Sequence, residues 1–122
     1  MPFAIIDGDD VGSKVERHLL SNNVSAFTEA SRMIADSIEE LAEELGKIAG
    51  AEVIAVGGDS ILTEFRSDAM DELINTLTGL QRPERLTFSA GVGTTLRESF
   101  VALRMAKSSG KCRIVAFPEE LG

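Results

Sequence analysis

The feature that most constrains the fold is a pair of adjacent glycines between two short apolar runs. The runs cover residues 51–56 and 61–65, and each has the length and the β-branched or aromatic content of a strand. Gly57 and Gly58 supply the positive φ angles that a tight turn needs, so the stretch predicts a β-hairpin. Asp59 then lies at the start of the second strand. By itself the stretch also fits an ordinary hairpin with a polar tip.

A second acidic stretch, Asp7-Gly8-Asp9-Asp10, follows the first apolar run of the chain. Residues 2–6 predict a buried strand, and the two-residue period places Phe3, Ile5, Asp7 and Asp9 on one face. Such a strand carries its carboxylates out of the core at its C-terminal end. Gly8 and Gly12 bracket the acidic turn, where glycine allows the backbone to approach a ligand closely.

The remaining periodicities alternate helices with strands. Apolar residues at spacings of three, four and seven predict a long helix from about 25 to 49, which Gly50 would end. Further helices are predicted over 13–20, from Ser67 to about 80, and from the capping box at 95–98 to about 109. Strands are predicted over 86–93 and 112–117, and a tail from Pro118.

This order predicts an α+β fold with a ferredoxin-like β-α-β-β-α-β core, followed by a C-terminal helix and strand. We expect one domain over residues 1–122, with an antiparallel-rich sheet and helices on one face. In that topology the first and third strands are central neighbours that run antiparallel. Asp7 therefore meets Asp59, although 52 positions separate them in the sequence.

Composition limits the partners. The net charge of −8 argues against a broad nucleic-acid-binding surface, so we expect that no nucleic-acid partner is required. A small phosphate ligand stays possible because a few lysines and a divalent ion can reverse the sign locally. No stretch has the length and apolar character of a membrane span or a signal peptide, which predicts a cytoplasmic protein without a membrane partner. The single cysteine, Cys112, excludes an internal disulfide.

The converging carboxylates of Asp7 and Asp59 are the candidate catalytic residues. Mg²⁺ and Mn²⁺ prefer oxygen ligands and often take only one or two carboxylates together with substrate phosphates. Asp9 and Ser60 are further candidate ligands. A two-metal site of this kind could activate a ribose hydroxyl and stabilise the leaving pyrophosphate. The alternative is a cluster of surface carboxylates at strand ends.

Two stretches are candidates for phosphate binding. Backbone amides at the start of the short first helix could hold phosphate, and they belong to Asp10, Val11, Gly12 and Ser13. Lys107 and Lys111 flank the end of the last helix, where we expect both to be exposed. Their residue type fits simple complementation of the helix dipole as well as ligand binding. Gly110-Lys111 is not a Walker A loop, since Cys112 follows and no glycine precedes it at the required spacing.

Four motifs, in order, give the chain a recognisable pattern: Ile6-Asp7-Gly8-Asp9-Asp10-Val11-Gly12, Gly57-Gly58-Asp59-Ser60, residues 88–93 and residues 102–111. They resemble the palm domain shared by GGDEF diguanylate cyclases and the large subunits of type III CRISPR complexes. The chain is most similar to the stand-alone minimal CRISPR polymerase family. The resemblance covers nearly all of its length.

The resemblance implies synthesis of cyclic nucleotide signals from nucleoside triphosphates, with ATP preferred, in bacterial anti-phage defence, and a separate effector that reads the product. It implies that Asp7 and Asp59 hold the metals with the Gly8 carbonyl as an extra ligand. It also implies that Lys107 and Lys111 grip the triphosphate. The base-reading residues of GGDEF enzymes have no clear counterpart, so guanine specificity is not implied.

Ser60 departs from the Gly-Gly-Asp-Asp pattern of many such palms. It favours an alternative, a catalytically reduced palm that binds nucleotide as a regulatory module. A third interpretation is a ferredoxin-like interaction domain without a ligand. Under the enzyme hypothesis we expect a homodimer, because a cyclic dinucleotide needs two bound triphosphates that face each other.

Overall fold

Within residues 1–117, the part of the chain that the computed structural model describes, five strands and four helices follow the expected order. The tail expected from Pro118 lies outside the described residues. The strands are β1 (Phe3–Gly8), β2 (Ala51–Gly57), β3 (Ser60–Phe65), β4 (Phe88–Gly93) and β5 (Ile114–Ala116). The helices are α1 (Val11–Leu20), α2 (Val24–Gly46), α3 (Met70–Gly79) and α4 (Leu96–Ser108), and a 3₁₀ turn over Ser67–Ala69 precedes α3.

The strands form one mixed sheet in the order β2-β3-β1-β4-β5. The central strand β1 pairs antiparallel with both β3 and β4, and β5 adds parallel to β4. The first four strands thus have the ferredoxin-like order, and β5 extends it at one edge. This confirms the α+β palm fold and the antiparallel-rich sheet.

The main core lies between one face of this sheet and helices α2 and α3. Because strand side chains alternate between faces, Ala4 and Ile6 of β1 point to the same side. They pack with buried side chains from β3, β4 and the two helices, namely Ile61, Phe65, Phe88, Ala90, Val92, Ile38, Leu41, Leu45, Leu73 and Leu77. Each fully buried Val, Leu, Ile or Phe side chain of this core contributes about 1.5–3 kcal/mol.

The expectation that the helices lie on one face is wrong, because α4 packs against the opposite face. Gly91 and Gly93 of β4 occupy the positions that face α4, and the lack of a side chain there allows the helix to approach the strand closely. A Cβ added to Gly91 would lie 2.2 Å from both the Leu103 nitrogen and the Ser99 carbonyl oxygen. The apolar side chains of Ala102, Ala106 and Val115 form a second, smaller core there. Helix α4 and strand β5 together form this second core on the opposite face of the sheet.

Element ends differ from the expected ones where local hydrogen bonds compete. Helix α2 stops at Gly46, before Gly50, whose φ of +85° instead forms the turn into β2. Ser67 does not cap a helix but opens the 3₁₀ turn. The cap at Thr95 is as predicted, since its hydroxyl accepts from the Glu98 nitrogen at 3.1 Å. Among the described helices, none combines the length and the apolar character needed to cross a lipid bilayer.

Candidate active site

The C-terminal end of β1 and the N-terminal end of β3 meet at one end of the sheet. Asp7 pairs in register with Ser60, and the Gly8 nitrogen donates a hydrogen bond to the Asp59 carbonyl oxygen at 2.9 Å. The antiparallel pairing of the two central strands produces this meeting. Asp7, in β1, and Asp59, in the turn just before β3, therefore lie at the same end of the sheet.

The two acidic side chains flank Gly8. A Cβ at Gly8 would lie 3.4 Å from the Asp59 Cβ and 3.6 Å from its Oδ2, so the Asp59 side chain lies beside this glycine. Asp7 points to the other face, where the Ser60 hydroxyl donates a hydrogen bond to its Oδ1 at 2.5 Å. The same added Cβ would clash with Val11 Cγ2 at 2.9 Å. Glycine at this position keeps the space beside the Asp59 side chain open.

Lys107, in the last turn of α4, reaches the same end of the sheet. Its Nζ lies 3.1 Å from Asp7 Oδ2 and 2.9 Å from Asp9 Oδ1, and it donates to the Gly8 carbonyl oxygen at 2.8 Å. Its side chain is only 23% exposed, so the expectation of an exposed Lys107 is wrong. Burial alone would lower the pKa of Lys107, but the hydrogen bonds to Asp9 and Asp7 outweigh it and raise that pKa.

Asp9 is buried, with 2% of its surface exposed, and both of its oxygens are engaged. Oδ1 accepts from the Ser89 hydroxyl at 2.7 Å and from Lys107, while Oδ2 accepts from the Thr87 hydroxyl at 2.8 Å and the Cys112 nitrogen at 3.0 Å. Burial alone would raise the pKa of Asp9, but these hydrogen bonds, led by that of Lys107, lower it. We interpret Asp9 as the residue that positions Lys107.

The sequence analysis missed the three groups that hold Asp9 besides Lys107. Thr87 and Ser89 flank Phe88 near the start of β4, and Ser89 pairs in register with Asp7. Their only sequence signal is a pair of hydroxyl residues on the strand predicted over 86–93. The Cys112 backbone nitrogen has no sequence signal, because its position depends on the turn after α4.

That turn folds the α4–β5 loop onto the β1–α1 loop. Gly110, at a φ of +123°, ends the helix, and the Lys111 nitrogen donates to the Ala106 carbonyl oxygen at 3.0 Å. Lys111 and Cys112 follow with φ values of 61° and 50°, which non-glycine residues rarely adopt. The Lys111 ammonium then pairs with the Asp10 carboxylate. The loop thus brings Lys111 and the Cys112 nitrogen to the acidic turn.

Helix α1 begins at this acidic turn. Its first backbone bond runs from the Lys14 nitrogen to the Asp10 carbonyl oxygen at 3.0 Å. The N–H groups of Val11, Gly12 and Ser13 therefore have no acceptor within the helix. A Cβ added to Gly12 would meet nothing within 4 Å, so there is open space at the helix start. Free N–H groups at an exposed helix start suit an anion.

The charges of the site leave room for a divalent cation. Lys107 pairs with Asp7 and Asp9, and Lys111 pairs with Asp10, so these three carboxylates and that of Asp59 outnumber the two ammonium groups. Within residues 1–117 there is no group of three or more His, Cys, Asp or Glu side chains placed to hold a metal. Asp9 and Asp10 are each paired with a lysine.

Three groups at this end of the sheet nevertheless suit Mg²⁺ or Mn²⁺. They are the carboxylates of Asp7 and Asp59 and the carbonyl of Gly8, a set to which substrate phosphates would add. The Lys107 ammonium already shows that Asp7 and the Gly8 carbonyl bind a cation. The residues present therefore fit the metal ion that this type of site implies. Ser60 would have to turn away from Asp7 to act as a ligand.

Comparison with known proteins identifies the family. The model of the minimal CRISPR polymerase domain matches residues 3–117. The chain belongs to this family. The resemblance inferred from the four motifs is thereby confirmed. A search of curated proteins found no match.

Solved structures share the fold of this minimal CRISPR polymerase domain at low sequence identity. The GGDEF domain of DgcB from Caulobacter crescentus, in complex with c-di-GMP, is 16% identical with a TM-score of 0.65 over 94% of this chain and 76% of that one. The Csm1–Csm4 cassette in complex with cA4 is 20% identical with a TM-score of 0.62, over 93% of this chain and 20% of that one. A bacterial light-regulated adenylyl cyclase is 10% identical with a TM-score of 0.63, over 92% and 72%. The palm fold is common to all three.

Proposed function

We propose that this minimal CRISPR polymerase domain is a metal-dependent nucleotidyltransferase that makes a cyclic di- or oligonucleotide from nucleoside triphosphates. One observation carries the proposal: Asp7, Asp59 and the Gly8 carbonyl meet at one end of the sheet, beside Lys107 and the start of α1. The acidic half of this site suits a divalent cation, and the other half suits phosphate groups.

Each residue of the site has a role in this proposal. Asp7, Asp59 and the Gly8 carbonyl would hold Mg²⁺ or Mn²⁺, which supplies Lewis-acid chemistry at a ribose hydroxyl and at the phosphate. The Ser60 hydroxyl holds Asp7 in place. The N–H groups of Val11, Gly12 and Ser13 would receive phosphate oxygens. Lys107, once released from Asp7, and Lys111, once released from Asp10, would bind the triphosphate.

The finer parts of the proposal rest on family membership. They are ATP as the preferred substrate, a role in anti-phage signalling from the cytoplasm, and a separate effector that binds the product. Two of the structural neighbours were solved with cyclic nucleotides, c-di-GMP and cA4, which supports a product of this class.

The proposal includes a homodimer. In a cyclic dinucleotide each nucleotide must present a ribose hydroxyl to the α-phosphate of the other. One small palm holds one triphosphate, so two sites that face each other across a two-fold axis would supply both attacks. Asp7 and Asp59 of each subunit would then face the partner subunit.

A second candidate is a palm that binds nucleotide without turnover and acts as a regulatory module. The observation that favours it is Ser60, which stands where many related palms carry a second aspartate. Serine adds no carboxylate to the site, and its hydroxyl donates a hydrogen bond to Asp7.

Mass spectrometry of reaction products separates the two candidates. The protein is incubated with each of the four ribonucleoside triphosphates and Mg²⁺, beside Asp59→Asn as the control and with triphosphate binding measured in parallel. We expect a cyclic product from the parent protein and none from the variant. Binding without any product would favour the regulatory module, and the absence of binding would contradict both candidates.

A further inference from the structure

The Lys107 ammonium has the surroundings of a bound cation. It lies within 3.1 Å of a carboxylate oxygen of Asp7, 2.8 Å of the Gly8 carbonyl oxygen and 2.9 Å of a carboxylate oxygen of Asp9. Two of these three oxygen atoms, those of Asp7 and Gly8, belong to the set proposed above for Mg²⁺ or Mn²⁺. The lysine and the metal ion therefore require the same atoms.

We propose that Lys107 is an internal competitor of the divalent cation. Its ammonium holds Asp7 and the Gly8 carbonyl until a metal ion displaces it, and it stays attached to Asp9 throughout. This inference rests on the proposed metal-dependent function and assigns a means of regulation to the same site.

Simultaneous occupancy is electrostatically excluded. An ammonium and a divalent cation that contacted the same two oxygens would lie within a few ångströms of each other, where like charges repel strongly in a partly buried site. The displaced ammonium can move, because four flexible methylene groups connect it to the Lys107 backbone. The backbone of α4 is fixed against β4 by the close contact at Gly91, so the movement is confined to the Lys107 side chain.

Asp9 is the anchor for this movement. Its Oδ2 is held by Thr87 and the Cys112 nitrogen, and its Oδ1 also accepts from Ser89. These bonds do not involve Asp7, so Asp9 can stay in place while Asp7 changes partner. Lys107 then loses two of its contacts but retains the buried one.

The competition couples the metal to the nucleotide. Without nucleotide, a metal ion must displace the Lys107 ammonium from Asp7 and the Gly8 carbonyl. Asp9 is then the remaining anionic partner of Lys107, so metal binding is weakened. A triphosphate would offer Lys107 new anionic partners. Metal and triphosphate should therefore each strengthen the binding of the other, by the same factor.

Titration with Mn²⁺ in the absence of nucleotide, with free Mn²⁺ measured by electron paramagnetic resonance, tests the proposal. Lys107→Met retains the length of the side chain and removes the charge. We expect it to bind Mn²⁺ more tightly than the parent by on the order of tenfold. Lys111→Met, which removes the neighbouring charge paired with Asp10, should produce a clearly smaller gain. Lys47→Met, whose lysine pairs with Glu44 on an exposed surface, controls for net charge.

An unchanged or weaker Mn²⁺ affinity in folded Lys107→Met would overturn the proposal. So would an equal gain in Lys111→Met, because the effect would then be a general one of local charge. A second measurement uses the parent protein alone and avoids any folding defect of the variant. In ¹⁵N-lysine-labelled protein, Mg²⁺ should shift the Lys107 ammonium signal and leave that of Lys47 unchanged. A Lys107 signal that saturating Mg²⁺ does not move would contradict displacement.

Repeating the Mn²⁺ titration with a non-hydrolysable ATP analogue separates this proposal from the proposed function. Mn²⁺ binding with the analogue, without any gain in Lys107→Met alone, would reject the competition and leave the function standing. Absence of Mn²⁺ binding without nucleotide and with analogues of all four triphosphates would reject the function as well.

Discussion

At the scale of single residues, the site depends on Asp9, which contacts no metal in our proposal. Replacement by Asn should lower the free energy of unfolding by about 2 kcal/mol, because the charge-assisted bond to Lys107 weakens. If the Asn side-chain NH₂ group takes the place of Oδ2, it faces the Cys112 N–H, and two hydrogen-bond donors then oppose each other. Denaturant unfolding measures the change. Asp10→Asn, at an exposed ion pair, is the matched control and should cost less than about 1 kcal/mol. Equal costs for the two variants would contradict this role of Asp9.

The pH dependence of stability gives an independent view of Asp9. Its pKa is lowered in the folded protein, so its contribution is fully present above the unfolded pKa of about 3.9 and is lost as the pH falls through the folded value. The stability difference between the parent and Asp9→Asn should therefore be largest above about pH 5 and shrink below about pH 4. Unfolding curves recorded over this range check the prediction, and a difference that does not vary with pH would contradict it.

Residues of the site differ in how far the sequence predicts them. Asp7 and Asp59 follow from two acidic turns and one topology. The role of Asp9 does not, because it depends on hydroxyl groups of β4 and on the Cys112 nitrogen, which a left-handed turn delivers. Lys107 was expected at the surface because a helix end is usually exposed, but the tight contact of α4 with β4 places it over the strand ends.

At the scale of elements, the packing of α4 on β4 decides where Lys107 lies. Gly91→Ala would place a Cβ 2.2 Å from backbone atoms of α4, so the helix has to move. We expect a loss of about 3 kcal/mol or more in the free energy of unfolding, together with weaker triphosphate binding. Gly46→Ala is the control, since an added Cβ there meets nothing within 4 Å and alanine favours the helix. A Gly91→Ala protein as stable as the parent would show that the helix contact is not tight.

The elements themselves were largely predictable. The Gly57-Gly58 pair predicts the hairpin, the apolar period predicts α2 and the capping box predicts α4, and few topologies connect such elements. The face on which α4 packs was not predictable from its own period, because an amphipathic helix fits either face of a sheet. The signal was in the partner strand, where Gly91 and Gly93 alternate on one side.

At the scale of the whole molecule, the proposed homodimer predicts a dependence of rate on protein concentration. If each cyclic dinucleotide needs two facing sites, turnover per subunit should rise with concentration until the dimer saturates. Product formation measured across a dilution series, with light scattering for the oligomeric state, checks this. A rate per subunit that stays flat where only monomer is present would contradict the dimer, although one subunit could still make a linear product and close it.

The central claim is that the carboxylates at the meeting point of β1 and β3 carry nucleotidyl transfer. Pyrophosphate release from each nucleoside triphosphate with Mg²⁺, compared between the parent and Asp59→Asn, tests it most directly. We predict release by the parent from at least one triphosphate, with ATP preferred, and a rate lower by on the order of a hundredfold in the folded variant. Release at the same rate by both proteins, or none by the folded parent with any triphosphate, would contradict the account.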